Sequence, residues 1–259
     1  MKQAITNIAK KVLPNNIRVF LRKVNWKIKY IAQTSLNKSN GIVVDPVSDD
    51  QYKRFIQIKK EKISPGNGAK SRQRLVWLFL ENETDIFRNK IKLLHVAPEY
   101  SYFKEFKKFQ NIEYFPGDKM EKGYSNQQGI QQLDLTGIHF QDNYFDYVLC
   151  NHVLEHIPDD KKAMSEIYRV LIPGGRAIIT IPINEKLEKT LEDPSIKTAK
   201  DRQKYYGQWD HVRYYAPDVK DKLQNAGFKV IMHRYAEKFS KEEYLKFGLC
   251  DDIIIEAIK

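Results

Sequence analysis

Apolar residues recur along this chain in two periods. Seven short runs have strand length: IKLLHVA at 91–97, IEYF at 112–115, QQL at 131–133, FDYVLC at 145–150, RAIITI at 176–181, FKVIMH at 228–233 and DIIIEAI at 252–258. Between them the period lengthens. Ala163, Ile167 and Leu171 repeat every four residues behind Asp159 and Asp160, acids that suit a helix N-terminus, and Pro173-Gly174-Gly175 stops the run. RQRLVWLFL at 72–80 predicts a helix before the first strand. Ala216 to Ala226 predicts another, with Pro217 at a permitted early position and Gly227 ending it. Strands alternating with helices predict an α/β fold.

The N-terminal part reads differently. Ile5, Ile8, Ala9 and Val12 fall at helical spacing, Pro14 interrupts, and Ile17, Phe20, Leu21, Val24, Ile28 and Ile31 resume it, so residues 1–36 predict an arm of two short amphipathic helices. Residues 37–71 are rich in Asn, Ser, Gly, Asp and Pro and read as a linker, with one helical patch around Tyr52 to Ile63. No internal repeat occurs.

Charge sharpens that division. Nine basic residues and no acid lie in residues 1–44, which accounts for +9 of the net +11 and leaves +2 for the rest. A nucleic-acid groove across the α/β region is therefore not supported. The basic arm can lie on an anionic membrane surface, or its apolar stripe can pack on the protein's own domain or on a second copy. Two cysteines, Cys150 and Cys250, cannot build a disulfide framework or a cysteine zinc site, which points to a cytoplasmic protein. No apolar stretch approaches the roughly 20 residues of a spanning helix, so peripheral attachment to the inner face of a membrane is the membrane reading that remains. Oligomeric state is left open.

Residues 133–182 carry the most specific pattern. Strand Phe145–Cys150 runs into Val153-Leu154-Glu155-His156, and the helix that follows ends in Pro173-Gly174-Gly175. Together with His95-Val96-Ala97-Pro98-Glu99 after the first strand, these segments resemble the class I S-adenosylmethionine-dependent methyltransferases, in a type 11-like subgroup that keeps the "HVAPE" and "VLEH" forms. The resemblance spans residues 72–259. It implies a Rossmann-like, mostly parallel sheet of seven strands with helices on both faces, an antiparallel last hairpin, and S-adenosyl-L-methionine as cofactor.

It also implies a site at the carboxyl ends of the strands. Asp118 would accept the ribose hydroxyls, and the alternative is a turn residue in Pro116-Gly117-Asp118. Asp134 would meet the adenine amino group and Leu135 line its pocket, while Asn151 and His152 would lie beneath the cofactor. Family members usually place a glycine-rich turn after the first strand; here Ala97, Pro98 and Glu99 stand in its place, with Glu99 a candidate for the methionyl ammonium or the ribose.

The chemistry needs an aligned acceptor and a group to receive its proton. His211 and Arg213, in Asp210-His211-Val212-Arg213, are the candidates: His211 as base or acceptor clamp, Arg213 as an anion-binding or structural residue. They lie in a charged insertion of about 185–215 that suits a lid, which would set a small-molecule or membrane-associated acceptor, such as a glycan or lipid-linked precursor, methylated on oxygen or nitrogen. Two rival readings come from the same residues. His152-Val153-Leu154-Glu155-His156 spells the H-x-x-E-H of inverted zinc proteases, but that motif works inside a helix and here it ends a strand, so no metal is expected. The glycine-poor turn also fits a catalytically degenerate binding or scaffold module.

Overall fold

The computed structural model describes residues 15–36, 41–120 and 129–259. The first helix of the arm, expected over residues 5–12, lies outside them. The second is α1 (Asn15–Leu36). One face of α1 docks on the domain. The Trp26 ring sits where a Cβ on Gly68 would meet it at 1.9 Å, Tyr30 stacks edge-on against Tyr52, and Gln33 exchanges hydrogen bonds with the backbone of Gln57. Phe20, Val24, Ile28 and Ile31 fall on another stripe of the same helix and are exposed, Phe20 at 64% and Ile28 at 61%.

Residues 41–70 form two hairpins, β1 (Val43–Asp45) with β2 (Asp50–Tyr52) and β3 (Ile56–Ile58) with β4 (Glu61–Ile63). The helical patch expected between Tyr52 and Ile63 is thus corrected to strands. Ile56 and Ile63 pair across the second hairpin and are both buried, and Lys59 takes a positive φ of 55° in the two-residue turn. Cross-strand burial of that pair outweighs the helical preference of the lysines and glutamate between them.

The main sheet has seven strands in the order β10-β11-β9-β8-β5-β6-β7: β5 (Ile91–Val96), β6 (Ile112–Asp118), β7 (Gln131–Gln132), β8 (Phe145–Asn151), β9 (Leu171–Thr180), β10 (Lys229–His233) and β11 (Ile254–Ile258). All pairings are parallel except those made by β11, so the expected antiparallel last hairpin is present. β9 starts earlier than residue 176 because the chain pairs with β8 at Leu171, bulges through Gly174 (φ 80°) and pairs again at Arg176.

Adjacent residues on the central strands face opposite layers, as the period of two requires. Leu94, Cys150 and Ile179 pack with α4 (Asp160–Val170) and α6 (Val219–Asn225), through Ala163, Ile167 and Leu223. Leu93, Leu149 and Ile178 pack with α2 (Ser71–Glu83) and α3 (Tyr100–Phe106), through Leu75, Phe79, Tyr102 and Phe106. Helices cover both faces, and the carboxyl edge of the parallel strands is left for loops. The shorter helices α5 (Ala199–Tyr205) and α7 (Lys241–Phe247) complete the fold.

Candidate functional site

The chain leaves β5 toward β6 and β7 on one side, then returns to build β8 and β9 on the other. The switch point between β5 and β8 is where open α/β sheets open a crevice for ligands. Two loops flank it, and both begin with a strained residue: Ala97 after β5 has φ 48° and His152 after β8 has φ 54°. Left-handed conformation costs a non-glycine residue about 1–2 kcal/mol, so each is held by its surroundings. Ala97 donates its N–H to the Gly117 carbonyl at 2.7 Å, and His152 donates to Thr180 at 2.7 Å. Ala97 therefore adopts the backbone shape that a glycine takes in a glycine-rich turn, without being glycine.

Glu99, expected to reach a ligand, is engaged by the protein. Its Oε2 lies 2.9 Å from Nε2 of the fully buried His95, whose Nδ1 is 2.9 Å from the Tyr114 hydroxyl. Burial opposes charge on Glu99, but the His95 bond and charge outweigh it and hold the carboxyl below its ordinary range. His95 and Glu99 thus fix the loop of Ala97 and Pro98 from beneath.

Asp118 ends β6 in register with Gln132, and its Oδ1 accepts the Met120 N–H at 2.8 Å, so it is also a turn residue. Asp134 is half exposed. Its Oδ1 accepts from the Thr136 N–H and hydroxyl at 2.8 and 2.7 Å, which with Lys119 keeps its carboxyl below the ordinary range. Leu135, expected to line the adenine pocket, is 3% exposed and packs in the core beside Asp134. Asn151 accepts the Thr180 hydroxyl at 3.0 Å, while its buried Nδ2 has no partner.

Beside this crevice lies a cavity of about 630 Å³, lined by His152, Glu155, His156 and His211 from the loop after β8 and the 185–215 insertion and by Lys62 and Arg72 from the N-terminal hairpin and α2. Of the residues expected at the cofactor, His152 alone lines it. Two buried arginines set its walls. Arg74, fully buried, donates to the carbonyls of Lys62, Ala69, Phe247 and Gly248, tying the β3–β4 hairpin to α2 and to the end of α7; burial pulls its pKa down to about 10.

Arg213 pins the other wall. It is 0% exposed and donates to the carbonyls of Leu154, Ile157 and Pro158 and, through Nη2 at 2.7 Å and Nε at 3.2 Å, to the Glu192 carboxylate. Burial works against its charge, but Glu192, Tyr215 and Asp160 more than offset it and its pKa is raised. The candidate role of Arg213 in contacting an anion is corrected by this geometry: its guanidinium is engaged by the protein's own oxygens, and it positions the 152–158 loop.

His211 is buried beside that loop, 4.7 Å from the His156 ring centre in an edge-to-face arrangement. Its Nδ1 lies 3.1 Å from the Tyr206 carbonyl. A carbonyl only accepts, so Nδ1 carries the proton and Nε2 presents a lone pair. Burial lowers the His211 pKa against the pull of Glu155. Val212 donates its N–H to the Glu155 carbonyl at 2.9 Å, joining residues 57 positions apart.

Sequence reasoning brought His152 and His211 to the same cavity but missed Lys62, Arg72, Glu155 and His156. Glu155 and His156 had a signal in the H-x-x-E-H spelling. There Leu154–His156 form a single 3₁₀ turn, so His152 and His156 do not sit one turn apart on an α-helix as that motif requires. Lys62 and Arg72 had none, because the hairpin that carries Lys62 was read as linker.

Residues 102–179 match the family described as a methyltransferase domain. A phosphoethanolamine N-methyltransferase 2 of Caenorhabditis elegans is 50% identical over 42 residues, 16% of this chain and 10% of that protein. A ubiquinone/menaquinone biosynthesis C-methyltransferase of Klebsiella pneumoniae is 32% identical over 114 residues, 39% of this chain and 45% of that protein. Among solved structures, an S-adenosylmethionine-dependent methyltransferase from Mesorhizobium loti superposes with a TM-score of 0.49 at 13% identity, covering 71% of this chain and 98% of that one. The chain spans from a tenth to half of the length of the curated relatives it matches.

Proposed function

We propose that the chain is a class I S-adenosylmethionine-dependent methyltransferase that binds S-adenosyl-L-methionine at the β5/β8 switch point and methylates oxygen or nitrogen of an acceptor held in the adjoining cavity, a reading supported by the methyltransferase-domain match over residues 102–179 and by the sheet order. The observation that carries this reading is the Ala97 turn. Its left-handed φ of 48° keeps the loop in the form that lets backbone approach a ligand, although no glycine stands there. The buried, unpartnered Asn151 Nδ2 beneath the same edge is a donor that a cofactor's carboxylate or hydroxyl would satisfy.

When bound, the cofactor supplies a methyl group on a positively charged sulfur. The protein's share is to align the acceptor, exclude water and receive a proton. Asp118 and Asp134 are the acceptors for ribose and adenine. Each spends one carboxylate oxygen on its own turn, which fixes the orientation of the other. His211, with its proton held on Nδ1, turns the lone pair of Nε2 toward the acceptor end. The insertion of 185–215, anchored by the bridge between Leu191 and Tyr214, carries His211 to that position and acts as the lid. Lys60, Lys62 and Arg72, which share the lining with Glu61 and Asp252, offer cationic contacts for a phosphate on the acceptor.

The arm places the enzyme at a membrane. α1 is docked through Trp26, Tyr30 and Gln33, while Phe20, Leu21, Val24, Ile28 and Ile31 are exposed on a helix that carries Arg18, Arg22, Lys23, Lys27 and Lys29 and no acid. An exposed apolar stripe with basic residues suits the interface of an anionic bilayer, where each basic residue near the surface adds about 1 kcal/mol. These features support the reading of a cytoplasmic enzyme held at the inner face of a membrane and acting on a glycan or lipid-linked acceptor.

The test of activity is transfer of labelled methyl from S-adenosylmethionine to candidate acceptors with and without a phosphate group. Transfer should favour the phosphorylated member of each pair; indifference to the phosphate refutes the role of Lys62 and Arg72. Sedimentation with anionic but not neutral vesicles, abolished by Phe20→Glu with Ile28→Glu, tests the arm. Equal sedimentation of the double variant would remove the membrane reading.

A further inference from the structure

Glu155 presents a problem that the methyl-transfer reading does not solve. It is 1% exposed, and neither of its carboxylate oxygens has a hydrogen-bond partner. Nδ1 of His152 lies 3.3 Å from Oε1, close enough for an ion pair but outside hydrogen-bond geometry. Leaving a buried carboxylate without partners costs several kcal/mol, on the order of the penalty for an unpaired buried ion, and a bound cation would offset that cost.

The same carboxylate is one of three groups that converge. Ligand atoms of Glu155, His156 and His211 all lie within 4.8 Å of one another, the one such group of three among the described residues. Each histidine has one nitrogen facing a protein oxygen: Nδ1 of His211 faces the Tyr206 carbonyl at 3.1 Å, and Nδ1 of His156 faces the Asp210 carboxylate at 3.5 Å. That leaves one nitrogen apiece, oriented from behind, as metal-binding histidines are by their outer partners. All three side chains face the acceptor cavity.

We propose that Glu155, His156 and His211 bind a divalent first-row transition cation of the zinc type, with its open coordination position toward the acceptor cavity. Two imidazoles and a carboxylate form a donor set suited to such ions, and three protein ligands with one vacant position is the pattern of a reactive site. A tetrahedral zinc ion holds its ligands roughly 3.5 Å apart, so loading requires side-chain movements on the order of 1 Å. The roles differ from those of the zinc protease motif. Glu155 is a ligand here, and the second histidine comes from the lid, 55 residues downstream of His156. With the ion bound, the Nε2 lone pair of His211 is a ligand and not a base, so the ion takes over that role by easing proton loss from an acceptor hydroxyl placed at the open position, and it couples lid position to the loop after β8. Such a site departs from the expectation, drawn from the sequence, that no metal binds.

The experiment is calorimetric titration of the full, chelator-treated chain with Zn²⁺ and with Mg²⁺, with no methyl donor present, followed by cobalt(II) loading and its visible absorption. One saturable site that prefers Zn²⁺ is expected, with a cobalt spectrum of low coordination number. His211→Ala and Glu155→Gln should each weaken it by at least the roughly 10–100-fold that losing an outer partner costs, while Lys62→Ala leaves it unchanged. His211→Asn, closer in shape, serves where His211→Ala melts early. No saturable site, or a site that both His211 and Glu155 variants leave intact, as binding at Cys250 would, overturns the proposal. Titration of the same samples with S-adenosylmethionine separates the two readings: metal binding without cofactor binding leaves this site standing and removes the methyltransferase, and the reverse result does the opposite.

Discussion

Replacing Arg213 by methionine probes the link between packing and the site. The guanidinium is fully buried and serves three backbone carbonyls, at Leu154, Ile157 and Pro158, besides both oxygens of Glu192. Methionine fills similar space and supplies no donor. Removing one member of a buried ionic network costs about 3–5 kcal/mol. Glu192 has a side chain 40% exposed and can rehydrate, and Asp160 keeps the Tyr215 hydroxyl at 2.8 Å and Lys222 at 3.2 Å. The lower end, about 3 kcal/mol, therefore applies. At about 2–4 °C per kcal/mol for a domain of this size, the midpoint should fall by roughly 6–12 °C in thermal unfolding followed by circular dichroism. Arg213→Lys keeps the charge but not the planar fork, and should fall by about half as much. Both variants loosen the 152–158 loop, so turnover should drop more than cofactor affinity. A methionine variant that melts within about 2 °C of wild type, with unchanged turnover, would refute the role of Arg213 as the pin of this wall.

Four further outcomes follow from the geometry. Ala97→Gly should hold or raise the melting temperature and leave cofactor affinity intact, because the about 1–2 kcal/mol of left-handed strain offsets glycine's entropy; a loss of stability would contradict the φ of 48°. Glu166 is held at a pKa of about 2 by its bonds to Arg169, against the effect of burial and with help from the Ile138 N–H. Its folded pKa lies below the unfolded value near 4.3, so its stabilisation is full above that value and fades as pH falls toward 2; Glu166→Gln should flatten the stability profile in that window, by up to about 3 kcal/mol before screening. His211→Ala should retain cofactor binding in calorimetry and lose methyl transfer, and unchanged transfer would remove it from the acceptor end. Gly68→Ala drives a methyl group into the Trp26 ring and should undock α1, read as a red shift of tryptophan emission; an unshifted spectrum would place Trp26 elsewhere.

The sheet was legible because its strands are buried on both faces and read as apolar runs, and the β11 reversal followed from resemblance rather than period. The hairpins were not, because strands of three residues bury at most one side chain each, too few to set a period. Asp118, Asp134 and Asn151 were legible as strand-end residues, since position after a strand is a sequence property. The convergence of Glu155, His156 and His211 was hidden. It depends on Arg213 and on the Val212–Glu155 backbone bond closing a separation of 57 residues, and no local pattern records such a contact. Arg213 itself carried a charge that suggested an anion site, and burial alone reveals that the protein's own carbonyls use it.

The central claim is that the β5/β8 switch point, with alanine in place of glycine in its turn, binds S-adenosylmethionine. Calorimetric titration of the full chain with S-adenosylmethionine and S-adenosylhomocysteine tests it without knowledge of the acceptor. The account predicts one site of micromolar affinity for both, weakened by Asp134→Ala and unaffected by Lys62→Ala. A folded protein that binds neither would contradict it and mark the domain as a binding module that has kept the methyltransferase fold without its cofactor.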